Sequence, residues 1–168
     1  LTSADDTAEG LNQLLKDGKI RSAGVSNYNV HQLDLLNSRM AQPLVTNQIE
    51  FSLLQMAPLF DGTLDQCQKN RIRPMAWSPL GGGRLFDTQL PASQRLHQKM
   101  AELAPKYNDA TVEQLAHAWV MAHPSSPLSV IGTNRLDRLK STVVSDSIQM
   151  SREDWYGLWE AAQGNSIP

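Results

Sequence analysis

The run Ala76-Trp77-Ser78-Pro79-Leu80-Gly81-Gly82-Gly83-Arg84 ends an apolar stretch on an aromatic residue and passes straight into a glycine-rich turn. A flat indole at the end of a strand can stack on a planar ring. Glycines let backbone N–H groups approach an anion that a Cβ would hold away. A ring platform beside an anion cradle points to a nucleotide-like cofactor, with a plain loop as the bland alternative. Three further segments carry the same kind of chemistry: Gly24-Val25-Ser26-Asn27, Asn47-Gln48-Ile49-Glu50 and Gly132-Thr133-Asn134. Ser26, Asn27 and Gln48 supply the hydroxyl and amide groups that would hold a carboxamide, with Trp77 as the face to stack on it. Ser78 to Gly83 offer backbone donors for a pyrophosphate. Thr133, Asn134, Arg135 and Arg138 open a helix, where dipole and cation together favour a phosphate. The set describes a dinucleotide, although no G-x-G-x-x-G follows any strand.

Other chemistries are poorly served. Gly24-Val25-Ser26-Asn27-Tyr28 misses the G-x-S-x-G nucleophile elbow by one residue, and no acid and His follow at strand ends. His31, His97, His117 and His123 lack metal-ligand spacing and read as surface or structural, and no metal site is expected. Glu50 reads as a carboxylate that orients its neighbours rather than as a general base. Trp119, Trp155 and Trp159 stand at helical spacing and read as packing residues. Pro124-Ser125-Ser126-Pro127 is a turn.

The elements that must position these groups alternate. Ala8, Leu11, Leu14 and Leu15 share one helical face behind Asp5-Asp6, and Gly18 stands where a left-handed residue would end that helix. Ile20 to Val25 predicts a buried strand. A helix with Val30, Leu33 and Leu36 inward follows, then a strand over 45–51, a helix over 61–70 and a strand over 73–78. Two successive helices come next, one with Leu96, Met100 and Leu103, the other opened by a Thr111-x-x-Gln114 capping box and carrying Leu115, Trp119 and Val120. Leu128 to Ile131 predicts the fourth strand, a helix starts near Leu136, and Ser151-x-x-Asp154 opens a last one with Trp155, Leu158 and Trp159.

Strands returning through crossover helices imply a parallel sheet, so the class is α/β. A (β/α)8 barrel needs about 250 residues, and four strands with outer helices are half of one or a small doubly wound sheet. The first element is a helix with no strand before it. That fits a longer α/β chain entered between strands and equally fits a plain N-terminal helix.

At 168 residues, 40% hydrophobic and 19% charged, the composition suits one domain or part of one. The net charge of −2, with scattered Lys and Arg, gives no footprint for nucleic acid or an anionic membrane. The single Cys67 excludes an intrachain disulfide and reads as a small packed side chain. With no apolar leader and no long apolar run, the expected location is cytoplasmic.

Four ordered segments together resemble the aldo/keto reductases: Gly18-Lys19-Ile20-Arg21-Ser22-Ala23-Gly24-Val25-Ser26-Asn27-Tyr28, Thr46-Asn47-Gln48-Ile49-Glu50-Phe51, Arg73-Pro74-Met75-Ala76-Trp77-Ser78-Pro79-Leu80-Gly81-Gly82-Gly83 and Val130-Ile131-Gly132-Thr133-Asn134. The likeness covers nearly the whole chain and is nearest to bacterial members whose seventh strand runs into a Trp-Ser-Pro-Leu-Gly-Gly-Gly loop. It implies an NADP-dependent reductase of aldehydes and ketones on a (β/α)8 TIM barrel, with residues 1–168 supplying strands five to eight. By position, Ser26, Asn27 and Gln48 match the family's nicotinamide carboxamide site, and Trp77 matches the residue that stacks on the nicotinamide ring. Ser78, Pro79, Leu80 and Gly81 match the pyrophosphate loop, continued by Gly82 and Gly83. Thr133, Asn134 and Arg138 match the adenosine 2′-phosphate site, where arginine supplies a fork that distinguishes NADPH from NADH, and Gly132 beside them counts with the cofactor-binding residues. Ser141 and Thr142 stand where many members carry an amide or acid near the adenine.

The family's catalytic Tyr, Lys, Asp and His come from the other half of its barrel. Tyr28, Tyr107 and Tyr156 match no catalytic position, so no catalytic residue is assigned, and the expected partners are the N-terminal half of the barrel and a small carbonyl or alcohol. The alternative is a non-catalytic half-barrel that binds a nucleotide or acts as an interaction module, closing its exposed edges as a dimer.

Overall fold

The computed structural model describes residues 2–167 and holds four parallel strands in the order β1-β2-β3-β4: β1 Val25–Ser26, β2 Asn47–Glu50, β3 Met75–Trp77 and β4 Leu128–Ser129. Register pairs Ser26 with Gln48, Glu50 with Trp77 and Ala76 with Ser129. The expected α/β class therefore holds. The first strand starts later than Ile20: residues 20–22 belong to the turn that leaves the first helix, where Ile20 N–H still donates to Leu14 C=O at 3.4 Å. Pairing to β2 begins only where Val45 N–H reaches Ala23 C=O at 2.9 Å. Apolar residues alone set the expected start too early, because a strand ends where its partner ends.

Among the described residues, seven α-helices connect and cover the strands: α1 Ala4–Lys16, α2 Val30–Asn37, α3 Thr63–Asn70, α4 Pro91–Leu103, α5 Val112–Met121, α6 Leu136–Val143 and α7 Arg152–Gln163. Their boundaries are local chemistry. Gly18 carries φ +67° just beyond α1, as its spacing predicts. Thr111 and Gln114 close a reciprocal capping box on α5, and Ser151 caps α7 by accepting from Asp154 N–H at 3.2 Å.

Strand alternation sorts the side chains. Asn47, Ile49 and Ala76 are buried under the helices, while Gln48, Glu50 and Trp77 face the opposite, half-covered side. On the covered side lie two cores. The larger joins Ile49, Phe51 and Ala76 to α4, α5 and α7. At its centre Trp119 and Trp155 stack at 4.8 Å, each indole N–H donating to the other residue's backbone carbonyl at 2.9 Å. These tryptophans are packing residues, as their spacing predicts. The smaller core gathers Ala8, Leu33, Leu36, Leu44, Cys67 and Ile72 beneath α1 to α3, and burial pushes the Cys67 thiol up to about 11.

Among the described residues, β1 and β4 are sheet edges with one neighbour each. Leu136, Leu139 and Val143 form an exposed apolar stripe on α6. No helix among the described residues is long and apolar enough to cross a membrane.

Candidate functional site

The C-terminal strand tips bring Ser26, Asn27, Gln48 and Trp77 together. The register above sets Ser26 beside Gln48 and Glu50 beside Trp77 on one face. Trp77 Nε1–H donates to Asn27 Oδ1 at 2.9 Å, which turns the Asn27 amide NH2 outward as a donor. Asn27 holds φ +57°, a left-handed conformation that asparagine tolerates. Ser26 Oγ–H donates to the Gln48 carbonyl at 3.0 Å. Beneath them the fully buried Asn47 clamps the loop after β1: its Nδ2 donates to Tyr28 C=O at 2.8 Å and its Oδ1 accepts from Tyr28 N–H at 3.4 Å.

The glycine turn follows Trp77 over Gly81–Phe86, with a kink at Gly82 and Gly83 that breaks any continuous helix there. Ser78 (φ +49°), Gly81 (+63°), Gly82 (+64°) and Gly83 (+90°) all lie in the left-handed region. A Cβ at Gly81 would also stand 3.0 Å from the Leu54 side chain, so the leucine would have to shift to admit one. Two of the expected backbone donors serve the loop itself, since Gly81 N–H reaches Ser78 C=O at 2.8 Å and Gly83 N–H reaches Leu80 C=O at 3.2 Å. A tight turn satisfies its own polar groups first, so these two glycines shape the cradle more than they donate from it. Arg84 ties the turn to the strand face, with Nε donating to Gly81 C=O at 2.9 Å and Nη2 3.9 Å from Glu50. Glu50 and Arg84 thus stand as a long ion pair without a hydrogen bond between them.

Across the turn, Ser78, Pro79, Leu80, Gly82 and Gly83 share a cleft of about 400 Å³ with Gly132, Thr133 and Arg138. Phe86, Glu113, His117, Val130 and Ile131 complete its walls, while Asn134 and Gly81 do not line it. Arg138 Nη2–H donates to Glu113 Oε1 at 3.0 Å, and the Thr142 hydroxyl lies 3.3 Å from the same oxygen. Arg135 pairs with Asp137, which sets its charge apart from Arg138. Ser141 and Thr142 turn toward α5: Gln114 Nε2 donates to the Ser141 carbonyl at 2.9 Å, and Thr142 is buried.

His117 is 2% exposed, with Nδ1 2.6 Å from Ser129 Oγ. Burial, reinforced by the nearby Arg138 and opposed by Glu113, pulls its pKa down to about 4. The imidazole is neutral at pH 7 and adds no cation to the cleft.

The sequence pattern of the aldo/keto reductase family matches residues 2–162. The chain belongs to the aldo/keto reductases. It is 42% identical over 168 residues to "Oxidoreductase YdhF" of Escherichia coli (strain K12), covering 100% of this chain and 56% of that protein. It is 37% identical over 167 residues to "6-dehydroglucose reductase" of Agrobacterium fabrum, covering 99% of this chain and 55% of that one. The fold matches an aldo/keto reductase of Klebsiella pneumoniae crystallised with NADP and acetate, at TM-score 0.78 and 27% identity over 92% of this chain and 53% of the other. The chain spans about half the length of the curated aldo/keto reductases it matches, and its four-stranded parallel sheet is part of their TIM barrel.

Three residues of this aldo/keto reductase site escape sequence reasoning. Asn47 alternates to the covered face and signals only as a polar residue inside a buried strand. Glu113 stands in the first turn of α5, where an acid reads as a partner of the helix dipole. His117 sits one helical turn later on the same side, and its link to Ser129 is long-range.

Proposed function

We propose that this chain is the NADP(H)-binding half of an aldo/keto reductase that interconverts a small aldehyde or ketone with its alcohol. The observation that carries the reading is the Trp77–Asn27 hydrogen bond at 2.9 Å, which ties the aromatic face to the amide-bearing strand tip. The donor set fits a nicotinamide dinucleotide. Ser26, Asn27 and Gln48 would hold a carboxamide and Trp77 would lie against its ring. Ser78 to Gly83 would wrap a pyrophosphate. Gly132, Thr133, Asn134 and Arg138 would take the adenosine ribose with its 2′-phosphate, the guanidinium supplying the fork. When bound, the nicotinamide supplies a hydride.

This chain's own work is orientation. Trp77 limits the ring to one tilt, Asn27 and Gln48 fix which face is presented, and the buried Asn47 keeps Asn27 in place. Protonation of the alkoxide that develops needs a general acid, worth about 10² to 10⁴ in rate. In this reading it comes from the barrel's first half. The free edges of β1 and β4 and the apolar stripe on α6 support a further half-barrel as the structure that closes the sheet.

The test is fluorescence titration of the full-length protein with NADPH, with Arg138→Ala as the discriminating variant. Saturable quenching that Trp77→Phe diminishes is the expected result, together with an NADPH affinity at least about tenfold weaker in Arg138→Ala. Loss of 1.4 kcal/mol corresponds to that factor. Unchanged NADPH binding in both variants overturns the reading. Sedimentation separates the alternative: a stable dimer of residues 1–168 with no response to dinucleotide would make the chain an interaction module.

A further inference from the structure

The cleft holds an acid where a plain phosphate site would hold only cations. Glu113 lines the same cleft as Thr133 and Arg138, its side chain is 18% exposed, and its Oε1 accepts from Arg138 Nη2 at 3.0 Å. Thr142 is 3.3 Å from that same oxygen and also bonds the Arg138 carbonyl at 2.9 Å, so the carboxylate is held from two sides. The neighbouring groups do not offset it: Arg135 is engaged by Asp137 on the outer side of the helix, and His117 is neutral at pH 7.

Two opposite recognition chemistries therefore meet at one place. An arginine fork favours a phosphate on the 2′ oxygen of an adenosine ribose. A carboxylate accepts a hydrogen bond from an unmodified ribose hydroxyl and repels a phosphate. From the Glu113–Arg138 pair in the cleft wall, we propose that this site takes both phosphorylated and unphosphorylated nicotinamide dinucleotides, with Glu113 as the residue that selects for the unphosphorylated one. Pairing keeps Arg138 from presenting its full charge to a phosphate, and because both bonds fall on Oε1 it leaves the second carboxylate oxygen of this cleft-lining residue available as an acceptor. The inference rests on the reading of the cleft as the dinucleotide site.

The experiment compares dissociation constants for NADPH and NADH in the full-length protein, in wild type, Glu113→Gln, Glu113→Ala and Arg138→Ala, with thermal unfolding measured alongside. Wild type is expected to bind NADH within about tenfold of NADPH. Glu113→Gln, which keeps an oxygen to orient Arg138 but removes the charge, is expected to tighten NADPH about tenfold and weaken NADH a few-fold, the difference between a charge-assisted and a neutral hydrogen bond. Glu113→Ala is expected to shift the ratio in the same direction with a smaller gain for NADPH, because Arg138 then loses its anchor. A purely structural role for Glu113 would move both cofactors together with the melting temperature and would overturn the proposal. So would an NADPH:NADH ratio unchanged in Glu113→Gln. If Arg138→Ala leaves that ratio unchanged as well, the cleft itself has been misread; if Arg138→Ala shifts it and Glu113→Gln does not, only the role of Glu113 fails.

Discussion

The Trp77 end and the Arg138 end of this site are held by different forces. Around Trp77, neighbouring parallel strands hold the polar groups mainly through neutral hydrogen bonds: indole to Asn27, Ser26 to the Gln48 backbone carbonyl, and Asn47 to the backbone of Tyr28. Around Arg138, two helices face each other across an ion pair and a threonine hydroxyl, with a neutral imidazole one turn away. Strand register locks geometry and is indifferent to charge, so the first end suits a fixed planar ring. Charged pairs between helices tune affinity by degrees, so the second suits a choice between similar ligands.

The contrast breaks most readily with pH. Unfolded, His117 takes up a proton near its ordinary 6.5, whereas in the fold it does so only near 4. Protons thus favour the unfolded chain, and the stability the neutral imidazole confers is complete above pH 6.5 and lost as pH falls toward 4. The gap is worth about 3 kcal/mol at its limit. Urea midpoints taken between pH 7 and 4 should fall steeply in the wild type and less so in His117→Gln, and equal slopes would place His117 outside the buried wall. Next in size, Trp77→Ala should weaken NADPH and NADH alike by about 100-fold, roughly 2.7 kcal/mol. Trp77→Phe, which keeps a ring but not the bond to Asn27, should lose only a few-fold. A loss confined to NADPH would tie Trp77 to the other end.

Asn47→Ala should cost about 2 kcal/mol in denaturant unfolding, because it orphans both backbone groups of Tyr28. A cost under 0.5 kcal/mol would mean that water replaces the clamp. The smallest effect is ionic. Raising salt from 50 to 500 mM should weaken NADPH a few-fold and NADH less, since both carry a pyrophosphate and only NADPH adds a 2′-phosphate charge facing Arg138. Parallel losses for both would erase the distinction between the two ends.

The Trp77 end was legible in the sequence, and at the Arg138 end Gly132, Thr133 and Arg138 were legible but the partners Glu113 and His117 were not, for one physical reason. Ser26, Gln48 and Trp77 alternate along short strands, and alternation is a local signal that fixes which face each side chain takes. Glu113 and Arg138 meet across 25 positions of chain. Nothing in the spacing of either residue records the other, and an acid in a helix's first turn looks the same whether it faces water or a cleft. The element order and the capping of α5 and α7 were likewise local and readable. The late start of β1 was not, because it is set by where β2 lies.

Cys67 is wholly buried in the smaller core, and its thiol stays protonated to about pH 11. A thiolate-seeking reagent added at neutral pH meets neither an accessible sulfur nor a nucleophilic one. Modification must wait until the segments around Leu33, Leu44 and Ile72 part. Its time course is accordingly a built-in clock for the breathing of the first half of this sheet, readable without an added label because residues 1–168 hold a single cysteine.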